Sequence, residues 1–582
     1  MYGKRLFLCF STYYCTSIGG EDVLRPIPMV KIRAIVYEDY INNVLCELGK
    51  LKSVHFVDLR NKLDRFKGYV KPVEAGEIIF RYSNLISRVS KIMDSMGISG
   101  LRKAGERLTV NIGRLLDEAE KEIEEIEKSY RALNEEVSTI EKTLSAPELY
   151  EERREELEKR LKEKRLELEK FSESVASRLI TLRTSLEFGL KLENTKLLFG
   201  RTFKTFVFEA WVPEDRSADV VRVLKEASKG LVIFETLKAE REHVEGHESP
   251  PVLYRFPSFL EPFEKLVESF SIQSYYEINP APIMAITFPI LFGVMFADVG
   301  QAAILAVSGL IFSILRRRLK RRGAEPSGLT GMVLSAGELL FLCGLSGIFW
   351  GLLFGEVFGS HEILGMHIHP LELATVGKEI RIGGFIPSED IIAMFHLALF
   401  IGSIHLMLGL TLNLVNKLLM KEYKEAVSVV LWMWFYSGAA YAVFNFGSHV
   451  AFDFGFWLLN PHLLIVPLIL MIIVEGLLRK IEGLSHSFMA LIESMSHTVS
   501  YGRLLALTLI HASMSKMFLN VIPGLGGIIS GTLLALILEG IIIFVHTLRL
   551  HWVEWFSKFY SGGEVKYTPF EIIVDVSLVD AR

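Results

Sequence analysis

Glu493-Ser-Met-Ser-His497-Thr-Val-Ser-Tyr-Gly-Arg503-Leu-Leu-Ala-Leu-Thr-Leu-Ile-His511-Ala512 reads as part of one long apolar helix that carries residues a lipid-facing segment excludes. A charge at the centre of a membrane helix costs about 2.5–3.5 kcal/mol on insertion scales, so intramembrane Arg, Glu and His mark ion pathways. A second such helix follows in Leu538-Glu539-Gly-Ile-Ile-Ile-Phe-Val-His546-Thr-Leu-Arg549-Leu-His-Trp-Val-Glu554. The two together point to a helical membrane protein whose chemistry lies in buried charge.

Composition agrees with a divided chain. Of 582 residues 50% are hydrophobic and 23% charged, and the mean hydropathy is +0.33. Both figures are met by one polar half and one membrane half. The formal net charge of −4 offers no basic footprint for nucleic acid, which is not expected as a partner. Cys9, Cys15, Cys46 and Cys343 show no CxxC or zinc spacing and read as reduced thiols. No metal or cofactor is expected. The chain has no GxxxxGK[ST] loop, so hydrolysis of ATP by this chain itself is not expected.

Residues 1–28 read as an N-terminal extension, with Met29 as an alternative start. From there Lys31–Val36 alternates as a strand, Asp39–Leu51 has helical spacing, and Ser53–Asp58 reads as a second strand. The turn lacks the glycines of a nucleotide site. A similar β-α-β unit recurs in Thr205–Val212, the helix from Pro213 to Ala227, and Gly230–Glu235. Between them Ile112, Leu116, Ala119, Ile123, Ile126, Tyr130, Leu133, Val137, Ile140 and Leu144 follow a heptad seam. Ser145-Ala-Pro147 breaks it. The returning helix shows Leu157, Leu161, Leu168, Phe171, Val175 and Leu182, with Lys164 and Arg178 as exceptions. The expected organisation is therefore a first α/β lobe and start of a helical stalk at 29–100, an antiparallel coiled-coil hairpin at 101–200, a second α/β lobe and linker at 201–280, and a transmembrane ion-translocation domain at 281–582.

Apolar runs at 283–297, 299–316, 330–358, 389–416, 426–449, 455–478, 485–520 and 525–556 predict about eight transmembrane helices, the last two long and tilted. Arg316–Arg322, Lys417, Lys421, Lys424, Arg479 and Lys480 fall in alternate loops. The positive-inside rule places those loops, the N-terminal half and the C-terminus in the cytoplasm. On that orientation His511 lies about 12 Å outward of Arg503, and Glu539 about 15 Å outward of Arg549. Glu493 and His497 lie on the cytoplasmic side of Arg503. Two polar paths, one to each face, are separated by an arginine that does not deprotonate. Gly502 and Ala506 leave room for another helix beside it.

Blander readings stand beside these. Arg503 could be a structural ion pair with Glu539. Arg549 could snorkel to the cytoplasmic interface. His511 and His546 could be packing histidines. Glu475 reads as interfacial, His405 and Asn413 as interhelical hydrogen-bond formers, Asp298 as a helix cap and Glu356 as structural.

These residues resemble the a subunit, or subunit I, of the V-type and archaeal A-type rotary ATPases. The resemblance runs from about residue 29 to the end. Its most specific parts are Ser496–Ala512 and His546–Glu554. Pro289-Ile-Leu-Phe-Gly-Val-Met-Phe-Ala-Asp-Val-Gly300, Gly347-Ile-Phe-Trp-Gly-Leu-Leu-Phe-Gly355 and Phe208-Glu-Ala-Trp-Val-Pro-Glu-Asp215 support it. The resemblance implies a stator in the cell membrane. Its partners would be a rotating proteolipid c-ring, peripheral stalk subunits, the central-stalk adaptor of the ring, and the lipid bilayer. Arg503 matches the family's essential arginine, and Arg549 the second arginine facing the ring carboxylate. His511 and Glu539 match half-channel positions. Glu493 sits ten residues before Arg503, out of register with the acidic residue of eukaryotic relatives, and Gly502 replaces a bulkier residue. A self-contained secondary ion transporter is the alternative; its inverted repeats and broken helices are not evident here.

Overall fold

The computed structural model describes residues 24–60, 62, 69–74, 76–98, 108–110, 112–144, 151–239, 249–322, 328–363, 366–376, 380–447, 449–450, 453–521, 525–572 and 576–578. Most of the expected N-terminal extension, with Cys9 and Cys15, and the Ser145–Pro147 break lie outside the described residues. Two bodies emerge, Pro28–Glu242 with Tyr567–Arg582, and Met1–Ile27 with His243–Lys566.

The first body is built on an antiparallel sheet. Met29–Tyr37 lies between Thr205–Pro213 and Val232–Lys238, and His55–Phe56 and Gly200–Arg201 flank the far side of Thr205–Pro213. Each of the two expected β-α-β units is thus split, with a strand of the other unit between its own strands. The two units share one sheet rather than forming separate lobes. The physical reason is on the buried face: Ile32, Ala34 and Val36 alternate inward, and helices Ile41–Leu51 and Ser217–Ala227 pack side by side on them through Val44, Leu45, Leu48, Val220 and Leu224. The C-terminal segment returns to this same body. Phe570 N–H donates to Val54 O at 2.7 Å and Ile572 N–H to Gly49 O at 3.0 Å, and Val576–Leu578 pairs in parallel with Leu108–Val110.

The heptad seam closes as a hairpin of Ile112–Leu144 against Glu151–Lys196. Ala119, Ile123 and Ile126 are buried in one cluster with Val175, Leu179 and Leu182 of the return, and Val137 is buried further along the hairpin. Lys164 and Arg178, the seam's exceptions, reach across to Glu136 at 2.9 Å and Glu122 at 2.8 Å, while Leu179 fills the apolar position. Helix Glu77–Ser95 packs alongside, tied by Arg81 to Asp117 and Glu120 and by Arg88 to Glu127.

Among the described residues of the second body five helices are long and apolar enough to cross a membrane: Val299–Arg321, Gly337–Phe354, Ile391–Leu419, Tyr423–Phe446 and Ile529–Lys558. Ala281–Met295 and Ile465–Leu478 are shorter apolar helices. The expected 485–520 run is described as two helices, Ile481–Ser500 and Gly502–Val521, meeting at Tyr501. Small residues set one close helix pair. Gly337, Gly344 and Gly351 recur along one helix against Ser313, Ala306 and Val299 of another. A Cβ on Gly344 would stand 2.5 Å from the Ala306 backbone nitrogen, an approach that only glycine allows. Cys46 and Cys343 are buried, and neither forms a disulfide among the described residues.

Candidate functional site

The last helical run is not a uniform α-helix. Leu525–Leu534 passes through a π-helical turn at Ala535–Glu539, resumes at Gly540–Arg549, and opens into a second π-turn at Leu550–Trp555. Each π-turn inserts a residue into the helical repeat and re-aims the side chains that follow, a feature that recurs at functional sites. Glu539 closes the first, and Glu554 lies in the second.

Three pairs of ionisable side chains join this run to the helices carrying the opening stretch. At one end Lys558 Nζ stands 2.9 Å from Glu493 Oε2 and 4.8 Å from the Trp432 ring centre. Next, Arg503 Nη1 donates to Glu554 Oε1 at 2.9 Å. At the other end His511 Nδ1 lies 2.5 Å from Glu539 Oε2. Lys558, Glu554, His511 and Glu539 are all buried. The order of pairs makes the two elements antiparallel, with His511 and Glu539 at one level. The expected alternative of an Arg503–Glu539 pair is not what forms: Arg503 pairs with Glu554, which the sequence reading left unassigned, and Glu539 pairs with His511.

His546 and Arg549 complete the set differently. His546 lies within electrostatic reach of Arg503 and Arg549, and its Nδ1 has no hydrogen-bond partner among the described residues. Arg549 is exposed, and no described residue pairs with it. His497 lies near Glu493, Glu554 and Lys558. Beside Arg503 a groove of about 510 Å³ is lined by Met495, Ser496, Val499 and Ser500. A Cβ on Gly502 would meet nothing within 4 Å, so this flank of the helix is open.

Around His511 the fold gathers groups that the sequence reading assigned to structural roles. Asp298 caps helix Val299–Arg321 as expected, its Oδ1 accepting from Gln301 N at 2.9 Å, and its Oδ2 also accepts from Gly359 N at 2.6 Å. Glu356 is 1% exposed, and its Oε1 has no partner among the described residues. It lies within electrostatic reach of His511 and Glu539. Phe296 packs on the His511 ring at 4.9 Å between centres. Nothing local in Gly355-Glu-Val-Phe-Gly359 signals this role; packing alone creates it. Elsewhere His405 bonds Tyr501 Oη at 2.7 Å across helices, as expected. Glu475 is buried and accepts from Ser428.

Comparison with known proteins bears on the same residues. The model of the V-type ATPase 116kDa subunit family matches residues 148–365 and 485–572. The chain is 28% identical over 410 residues to the A-type ATP synthase subunit I of Methanothermobacter thermautotrophicus, covering 67% of this chain and 55% of that protein. It is 25% identical over 410 residues to the subunit I of Methanocaldococcus jannaschii, covering 64% and 56%. It is 24% identical over 481 residues to the vacuolar proton translocating ATPase 100 kDa subunit of Dictyostelium discoideum, covering 63% and 58%. The chain thus spans about half the length of these relatives.

Proposed function

The chain belongs to the V-type ATPase 116kDa subunit family, and on that premise we propose that it is the stator a subunit of a rotary A/V-type ATPase or ATP synthase, coupling proton or sodium flow across the cell membrane to rotation of a proteolipid c-ring. The observation that carries this reading is the order of pairs along the two antiparallel elements: Glu493 with Lys558, Arg503 with Glu554, His511 with Glu539. On this reading each side of the membrane has its own titratable groups, with a permanent cation between them.

In this reading an ion enters by one half-channel, neutralises a ring carboxylate, travels round with the ring and leaves by the other half-channel. His511 and Glu539, extended by Glu356, form the outer half-path. Glu493 and His497 form the inner one. Arg503 forces release from the ring and blocks leakage between the paths. Arg549, with His546 behind it, presents a second cation to the ring. Exposed apolar side chains along the same faces, among them Met495, Val499, Ile541 and Val545, suit contact with the ring or with lipid.

The first body and the C-terminus then lie on the cytoplasmic side, with the cluster at Arg316–Arg322. The chain leaves the first body after Glu242 and is back in it at Phe570 and Ile572, which an even number of crossings between would satisfy. About eight spans meet that condition. The hairpin would dock peripheral stalks, with the central-stalk adaptor of the ring as a further neighbour. The test is to purify the chain with its neighbours from native membranes. A co-purifying proteolipid ring supports the reading; ion transport by the isolated, reconstituted chain contradicts it.

A further inference from the structure

We infer that Glu554 is a positioning residue for Arg503, a resident counter-carboxylate that sets how tightly the arginine holds a passing ring carboxylate. The inference rests on the reading of Arg503 as the residue that meets the ring. Glu554 is 2% exposed, whereas the Arg503 side chain is 24% exposed. The guanidinium therefore lies between a buried carboxylate of its own chain and the open groove at Met495–Arg503. A guanidinium is a planar fork with five N–H donors. Glu554 engages Nη1 alone, and Nε and Nη2 have no partner among the described residues. One cation can thus bind Glu554 behind it and a second carboxylate in front.

This arrangement resolves a conflict built into the proposed cycle. Arg503 has to attract each ring carboxylate and also let it go. Facing Arg503 alone, the carboxylate meets a full, poorly solvated positive charge. Facing the Arg503–Glu554 pair, it meets directional hydrogen bonds with the charge already compensated, so loading by an ion releases it more readily. Other charged or titratable groups near the pair are Glu493 and His497 from helix Ile481–Ser500, Tyr501 at its end, and His546, Arg549 and Lys558 from the last helical run. None of these is within hydrogen-bonding distance of Arg503. Glu554 reaches Arg503 from within the second π-turn, five residues beyond Arg549.

The test uses the complete complex in sealed vesicles, with ATP-driven ion uptake measured against the concentration of the transported ion. Without Glu554 the ring carboxylate faces an unopposed cation and stays ionised at higher ion concentrations. In Glu554→Gln, uptake stays coupled to hydrolysis while the half-maximal ion concentration rises about tenfold, about one pH unit towards acid if the ion is a proton. Glu554→Asp, which draws the charge back by one methylene, shifts it the same way by less. An unmoved half-maximal concentration in Glu554→Gln overturns the inference. Should that variant not assemble, an unmoved value in an assembled Glu554→Asp does so. Arg503→Lys run in parallel separates the two levels: normal uptake there removes the premise, whereas lost uptake there with an unmoved Glu554→Gln overturns this inference alone.

Discussion

His511 Nδ1 and Glu539 Oε2 meet at 2.5 Å, each side chain almost wholly buried, from helices 28 positions apart in sequence. Removing one partner of a buried pair costs about 3–5 kcal/mol, because the other is left uncompensated. His511→Leu is therefore expected to lower the Tm of the purified complex and abolish uptake. Glu539→Gln keeps the shape and a hydrogen bond. It is expected to keep the Tm near that of the wild type while transport fails. Thermal unfolding and vesicle uptake on the same preparations check both.

The soluble body has a pH-dependent clasp at Glu209, which receives Lys31 at 2.5 Å and Arg33 at 2.7 Å. Burial alone would raise its carboxyl, but the hydrogen bonds from Lys31 and Arg33 outweigh burial and hold it below its ordinary value of 4.5. A lowered carboxyl contributes stability above pH 4.5, and that stability is lost as pH falls through the lowered value. Glu209→Gln should cost about 1.5–3 kcal/mol at pH 7. The difference should shrink below pH 4. Hydrogen exchange of the strand Thr205–Pro213 in the full chain reads this directly.

Glu264, on the helix Glu261–Phe270, runs the other way. Burial first, then the carboxylates of Glu268 and Glu261, push its carboxyl up to about 7. The stability tied to the protonated form is complete below pH 4.5 and is lost as pH rises through 7. Glu264→Gln should raise the Tm at pH 8 and leave it nearly unchanged at pH 5. A gain of equal size at both values would contradict the assignment.

Gly344 tests the packing of the membrane body. Its missing Cβ would stand 2.5 Å from Ala306 N and 2.8 Å from Ala302 O, both backbone atoms that do not yield. Gly344→Ala should cost about 1–3 kcal/mol as overpacking, seen as a lower Tm of the detergent-solubilised protein. Gly502→Ala meets only open space on its own chain and should leave that Tm unchanged.

Much of the fold is legible in the sequence because periodicity reports burial. Ile123, Ile126 and Val137 announce the hairpin, and the run from Leu525 to Lys558 announces a spanning helix. Strand partners are not encoded in periodicity. Met29–Tyr37 and Thr205–Pro213 each alternate correctly, yet nothing in either shows that Tyr37 and Thr205 are paired neighbours in one sheet. The candidate site divides in the same way. Arg503, His511, Glu539 and Arg549 stand out because apolar surroundings make each one costly. Glu554 lies past the most apolar part of the helix and reaches Arg503 through a π-turn that residue type does not reveal. Glu356 becomes a neighbour of His511 only when the chain between Gly337 and Gly359 folds back.

The most direct test of Arg503 as the barrier between two ion paths is ATP-driven ion uptake by vesicles carrying the complete complex with Arg503→Lys. Lysine keeps the charge but not the planar fork that would hold Glu554 and a ring carboxylate together. Assembly at the wild-type level with uptake at background is the predicted result. Uptake at the wild-type rate contradicts it.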